Sequence, residues 1–243
     1  MHTILWFLYF WLYLIAVLPL YWYLRRLEKR GDRERCDPIL HRTVGRWARR
    51  LIRAAGAKVT VEGLDKLPAG PAVYVANHQG YFDIPVVLGY LGDDTKPLVA
   101  KKEIDRIPLI RRWMRLLHCV FLDRENPRSA VASLNEAAGW VAQGYSMVIF
   151  PEGTRSKTGE VAEFKGGAFK IAQKNRVPVV PFVIDGTAEL MERNGYWIHG
   201  GPVRLRVLDP IDTTNYTKED WRALPALCES RVREGLAAMR TGR

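Results

Sequence analysis

The sequence predicts an α/β fold: a mixed, partly parallel sheet flanked by helices, with an N-terminal membrane-associated helical segment. Three observations carry that reading. Short apolar runs recur from Lys58 onward and alternate with stretches of helical periodicity, as crossover helices over a sheet require. Several of these runs end in turns that start a helix, as at Asp83 and at Asn126-Pro127. The first 24 residues carry no Lys, Arg, Asp or Glu, whereas residues 25–58 hold 12 basic and 4 acidic ones.

Thr3 to Leu24 gives 22 uncharged, mainly apolar residues, about 33 Å of helix at about 1.5 Å per residue. No small-residue cleavage site follows, so the run is read as an anchor and not a signal peptide. Arg25, Arg26, Lys29 and Arg30 should keep its end on the cytoplasmic side. A spanning helix is the expectation. Pro19 and the aromatics spread between Trp6 and Tyr13 leave a helix within one leaflet as the alternative. Over residues 38–56, Leu40, Val44, Trp47, Leu51 and Ala55 form one helical stripe, with Arg42, Arg46, Arg49 and Arg53 roughly opposite. That pattern suits a helix lying on an anionic bilayer; the alternative is a surface helix packed on the domain. Residues 1–57 are therefore taken as anchor and basic amphipathic helix, and 58–243 as the globular domain.

Val59 and Val61 alternate with polar residues as in an edge strand, and 67–71 makes a turn. Residues 72–76 read as a buried strand, followed by a short helix from Asp83 to Gly89 or Gly92. Strands are expected at 97–100, 119–122, 146–150, 177–184 and 203–207. Helices are expected at 109–117, from Asn126 to Gly144, at 167–174, and from about Lys218.

Composition narrows the function. Cys36, Cys119 and Cys228 are few, scattered and odd in number, which suggests neither a disulfide framework nor a zinc site. The net charge of +11 is concentrated next to the apolar N-terminus, so the favoured basic target is a membrane and not nucleic acid. Neither G-x-S-x-G nor H-E-x-x-H occurs, which argues against a hydrolase with a nucleophile elbow or a zincin site.

The stretch Asn77-His78-Gln79-Gly80-Tyr81-Phe82-Asp83 stands at a strand-to-helix turn. A histidine with a carboxylate five residues on can form an oriented base, the carboxylate fixing the tautomer and stabilising the imidazolium. A structural hydrogen bond is the plainer reading of the pair alone. Three other strand ends should share its edge. They deliver Lys101 with Lys102, then Arg124, then Glu152, Gly153, Thr154 and Arg155. One His/Asp pair among several cations suits a base acting on a phosphate-bearing substrate.

These residues resemble the glycerolipid acyltransferase family. Asn77-His78 with Asp83 matches its H-x4-D motif, and residues 150–156, Phe-Pro-Glu-Gly-Thr-Arg-Ser, match its FPEGTRS block. Phe121-Leu122-Asp123-Arg124 and the run 177–182 are similar to its second and fourth blocks. The resemblance covers about 58–210 and is nearest to the bacterial 1-acyl-sn-glycerol-3-phosphate acyltransferases. It implies a membrane-bound enzyme on the cytoplasmic face of the inner membrane that makes phosphatidic acid from lysophosphatidate. His78 would act as base on the sn-2 hydroxyl, with Asp83 orienting it. Lys101, Arg124, Glu152, Gly153, Thr154, Arg155 and Lys165 would bind substrate. No cofactor or metal is implied; acyl-CoA or acyl carrier protein would be the donor substrate, and no covalent acyl-enzyme is needed. A different lysolipid head group, such as lyso-ornithine lipid, is the runner-up, ahead of a non-catalytic membrane lipid-binding protein.

Overall fold

The computed structural model describes residues 1–241. Seven strands, β1 (Lys58–Glu62), β2 (Val73–Ala76), β3 (Val99–Lys101), β4 (Val120–Leu122), β5 (Met147–Ile149), β6 (Val179–Asp185) and β7 (Pro202–Val207), are spaced as the apolar runs predict. Five of them form one sheet in the order β1–β7–β6–β2–β5. β3 and β4 form a parallel pair, joined to β5 through a bridge between Leu98 and Val148. Among the pairs of named strands in the described residues, only β6–β7 is antiparallel. As a result β2, β3, β4, β5 and β6 all deliver their carboxyl ends to one edge, where crevices form in open α/β sheets.

Side-chain alternation splits the core between the two faces. Tyr74, Ala76, Val148, Phe182 and Ile184 face one side. There they meet α3 (Arg33–Ala54), α4 (Asp83–Tyr90) and α5 (Pro108–Leu116). Val73, Val75, Ile149, Val179 and Val183 face the other. There they meet α6 (Pro127–Ala142), α7 (Lys170–Asn175) and α8 (Lys218–Thr241). Asn126 caps α6, its Oδ1 accepting the Arg128 and Ser129 N–H groups at 3.1 and 3.2 Å, with Pro127 in the first turn.

The N-terminal run is two helices, α1 (His2–Ala16) and α2 (Leu18–Lys29), bent by 48°. Pro19, in the first turn of α2, lacks the N–H that would continue the ladder across the break. Among the described residues no single helix is long and apolar enough to cross a membrane; the bent pair passes that test together. α3 begins at Arg33, five residues before the expected start, with Asp32 Oδ1 accepting the Arg35 N–H at 3.3 Å. Its stripe corrects the bilayer expectation. Leu40, Val44, Leu51 and Ala55 turn inward with Ala48 and Ile52, all at most 5% exposed, and α3 packs on α4. Arg42, Arg46 and Arg53 stay exposed, while Arg49 reaches the Gly89 carbonyl at 2.8 Å. An apolar stripe has the same spacing whether lipid or a protein core covers it.

Candidate active site

β2 passes straight into the His78 turn because Asn77 extends its pairing with side-chain atoms. The Asn77 amide donates to the Ile184 carbonyl at 2.8 Å and accepts the Ile184 N–H at 3.0 Å. His78 Nδ1 then lies 2.6 Å from Asp83 Oδ2, and the imidazole stacks on Phe150 with centroids 4.2 Å apart. Asp83 is fully buried in the first turn of α4. Instead of capping that helix, its carboxylate turns back to accept the Gln79 and Gly80 N–H groups at 2.6 and 3.0 Å. The Thr187 hydroxyl donates to its other oxygen. With Asp83 Oδ2 as the acceptor in that contact, Nδ1 carries the hydrogen and Nε2 keeps a lone pair for a substrate proton.

The FPEGTRS segment supports this turn from beneath. Glu152 Oε1 accepts the His78 N–H at 2.7 Å, Oε2 accepts the Ala162 N–H at 3.1 Å, and the Ser156 N–H donates to the His78 carbonyl at 2.8 Å. Burial pushes the Glu152 carboxyl above its ordinary range, against the lowering pull of those two N–H groups. At 2% exposure, and with both oxygens engaged, Glu152 holds backbone; it does not reach the cleft where sequence reasoning put it.

Beside it Gly153 adopts φ +75°, in the left-handed region that favours glycine. A Cβ there would lie 3.2 Å from Lys165 Nζ and 3.7 Å from an Arg124 guanidinium nitrogen. The two cations therefore converge over the glycine backbone, and neither has an ion-pair partner among the described residues. Arg155 is differently placed. Its guanidinium lies 3.7 Å from the Tyr81 ring centroid and 3.4 Å from Glu192 Oε1.

Thr154 is exposed. Lys101 is exposed too, 3.1 Å from Glu103, and no contact ties it to the Gly153 group among the described residues. Lys165 precedes a 3-10 turn (Gly166–Phe169), so the helix expected at 167–174 is divided into that turn and the short α7. Gln79 and Tyr81, within the His78 turn but given no role by its motif, and Thr187 and Glu192, which no motif marks, also contact residues of this site. A cavity of about 470 Å³ lies elsewhere, lined by residues that include Lys102, His118, Phe121 and Trp140. It holds none of the groups around His78. No group of three or more His, Cys, Asp or Glu fit to hold a metal occurs among the described residues.

The arrangement offers a buried carboxylate, an oriented imidazole, and two cations over a glycine turn that make no ion pair among the described residues. Comparison with known proteins places the chain in a family. The model of the family described as Acyltransferase matches residues 58–185. A 1-acyl-sn-glycerol-3-phosphate acyltransferase of Haemophilus influenzae is 32% identical over 81% of each chain. The chloroplast 1-acyl-sn-glycerol-3-phosphate acyltransferase BAT2 of Brassica napus is 42% identical over 63% of this chain, which spans only 45% of that relative. Other plant and yeast relatives are likewise about twice the length matched, the chain spanning 44% to 55% of them. The crystal structure of the 1-acyl-sn-glycerophosphate (LPA) acyltransferase PlsC from Thermotoga maritima superposes with a TM-score of 0.78 at 31% identity, over 99% of this chain and 98% of that one.

Proposed function

Since the chain belongs to the acyltransferase family, we propose that it transfers an acyl group from a thioester to the sn-2 hydroxyl of 1-acyl-sn-glycerol 3-phosphate, giving phosphatidate. The observation that carries this reading is the open Nε2 of an imidazole held by buried Asp83, on the same sheet edge as the Arg124–Lys165 cradle. His78 takes the hydroxyl proton as the oxygen attacks the thioester carbonyl, and Asp83 stabilises the imidazolium. Collapse of the tetrahedral adduct breaks the C–S bond and releases thiolate, which receives the proton. Attack is direct. All three cysteines are buried, and burial pushes the Cys119 and Cys228 thiols up to about 12 and Cys36 to about 11, so none supplies a thiolate nucleophile near neutral pH.

The acceptor phosphate sits over Gly153 between Arg124 and Lys165, with Arg155 as an outer arm; Thr154 and Lys101 line the approach. The donor is acyl-CoA or acyl carrier protein, and no cofactor takes part. α1 turns Ile4, Leu5, Leu8, Leu12 and Ile15 outward, all more than half exposed, which fits seating in a bilayer on the cytoplasmic face of the inner membrane. The purified chain, given mixed lysolipids with acyl-CoA or acyl carrier protein and read by mass spectrometry, should yield phosphatidate. Product from lyso-ornithine lipid alone, or no product with either donor, would overturn the substrate assignment.

A further inference from the structure

We infer that Glu192 is a specificity-determining residue, a built-in carboxylate that pairs with Arg155 and limits how tightly a phosphate-bearing acceptor is held. The inference deepens the proposed function and rests on it. Glu192 opens a 3-10 turn (Glu192–Asn194) beyond β6, on the site's edge of the sheet. Its Oε1 accepts the Tyr81 N–H at 2.6 Å and lies 3.4 Å from Arg155. Its Oε2 is buried and has no hydrogen-bond partner. Gly80 makes the approach possible, because a Cβ there would lie only 2.7 Å from that oxygen.

Three positive groups flank the FPEGTRS turn, yet only Arg155 is ion-paired with an acid, while Arg124 and Lys165 make no ion pair among the described residues. The pair is mostly withdrawn from water, with side chains 33% and 16% exposed, where like and unlike charges act more strongly than in bulk solvent. A phosphate dianion reaching Arg155 meets the Glu192 carboxylate as a competitor and a like charge. Stacking on Tyr81 keeps Arg155 in place when that competitor is neutralised.

Glu192→Gln removes the charge and keeps an oxygen for the Tyr81 N–H. The full chain should then bind glycerol 3-phosphate, read by calorimetry, roughly 3- to 10-fold more tightly. The KM for lysophosphatidate should fall in step, with less than about 2-fold change in KM for monoacylglycerol. In an Arg155→Met background the same substitution should shift glycerol 3-phosphate affinity less than about 2-fold. Glu192→Ala also loses the brace on Tyr81, so its kcat should drop, but its phosphate affinity should still rise. A brace alone cannot produce that gain. Unchanged or weaker binding in both variants, or an equal gain without Arg155, overturns the inference. Should the wild type make no phosphatidate, the acyl-transfer reading fails by itself, while the glycerol 3-phosphate affinities still decide the role of Glu192.

Discussion

At the scale of single residues the site is a set of backbone and carboxylate restraints on one imidazole. Thr187 shows how they work: its hydroxyl donates to Asp83, a carboxylate with no exposed surface. Thr187→Val leaves that oxygen without this donor at a cost of about 1–3 kcal/mol. It should lower kcat about 10-fold with a smaller change in KM, and Thr187→Ser should restore most of the loss. Steady-state kinetics on the three proteins checks this; equal kcat in all of them would remove Thr187 from the site. Gly153→Ala acts on the phosphate side. It forces a side chain into φ +75° and to 3.2 Å from Lys165 Nζ. The KM for lysophosphatidate should rise by roughly 10-fold, the scale of one lost charge-assisted contact. His78, Asp83, Gly153 and Arg124 could be read from the sequence because short motifs carry them. Thr187 could not, since it meets Asp83 from 104 positions away and nothing local marks it. Glu152 was legible as a site residue but not as a backbone brace, because both roles call for the same carboxylate.

At the scale of elements, periodicity located nearly every strand and helix, and failed where two environments impose one pattern. The α3 stripe reads alike for lipid and for protein, and only the position of α4 decides it. Ile52, fully buried, should therefore report on stability. Ile52→Ala is expected to cost about 2–5 kcal/mol in denaturant unfolding; a variant that altered vesicle binding with no loss of stability would return the stripe to the bilayer. The break between α1 and α2 was foreshadowed by Pro19, but its angle follows from packing that a linear pattern does not contain.

The turn from α5 into β4 carries a pH signature. His118 stands at φ 60° and stacks on Trp140, and burial pushes its imidazole down to about 4. Between pH 4 and 6.5 the unfolded chain binds the proton that the folded one refuses. The His118 contribution is thus intact above about 6.5 and lost as pH falls towards 4. His118→Asn, which tolerates the left-handed backbone, should flatten that part of a stability–pH curve, on the order of 1–3 kcal/mol. An unchanged slope would show that the site accepts a charged imidazole.

At the scale of the whole molecule, strand direction is what assembles the chemistry. Segments from four loops meet because β2, β4, β5 and β6 end on one edge, and the one reversal, at β7, lies on the far side of β6 from them. The alternation of strands and helices made a partly parallel sheet legible. The β1–β7 pairing was not, since it joins segments some 140 residues apart that carry no shared signal. The bend of α1 and α2 leaves an apolar face beside this edge: Trp6 packs on Phe82, next to Asp83, while Leu5 and Leu8 face outward. If α1 seats in a bilayer as proposed, a lipid acceptor would have a short path from it to His78. Turnover of lysophosphatidate by the His78→Ala chain, beside the wild type, reports directly on whether His78 takes the proton from the acceptor hydroxyl. A fall of about 10²–10⁴-fold in kcat, with glycerol 3-phosphate still bound and the melting temperature nearly unchanged, is the predicted result. Retention of a tenth or more of the wild-type kcat would contradict it.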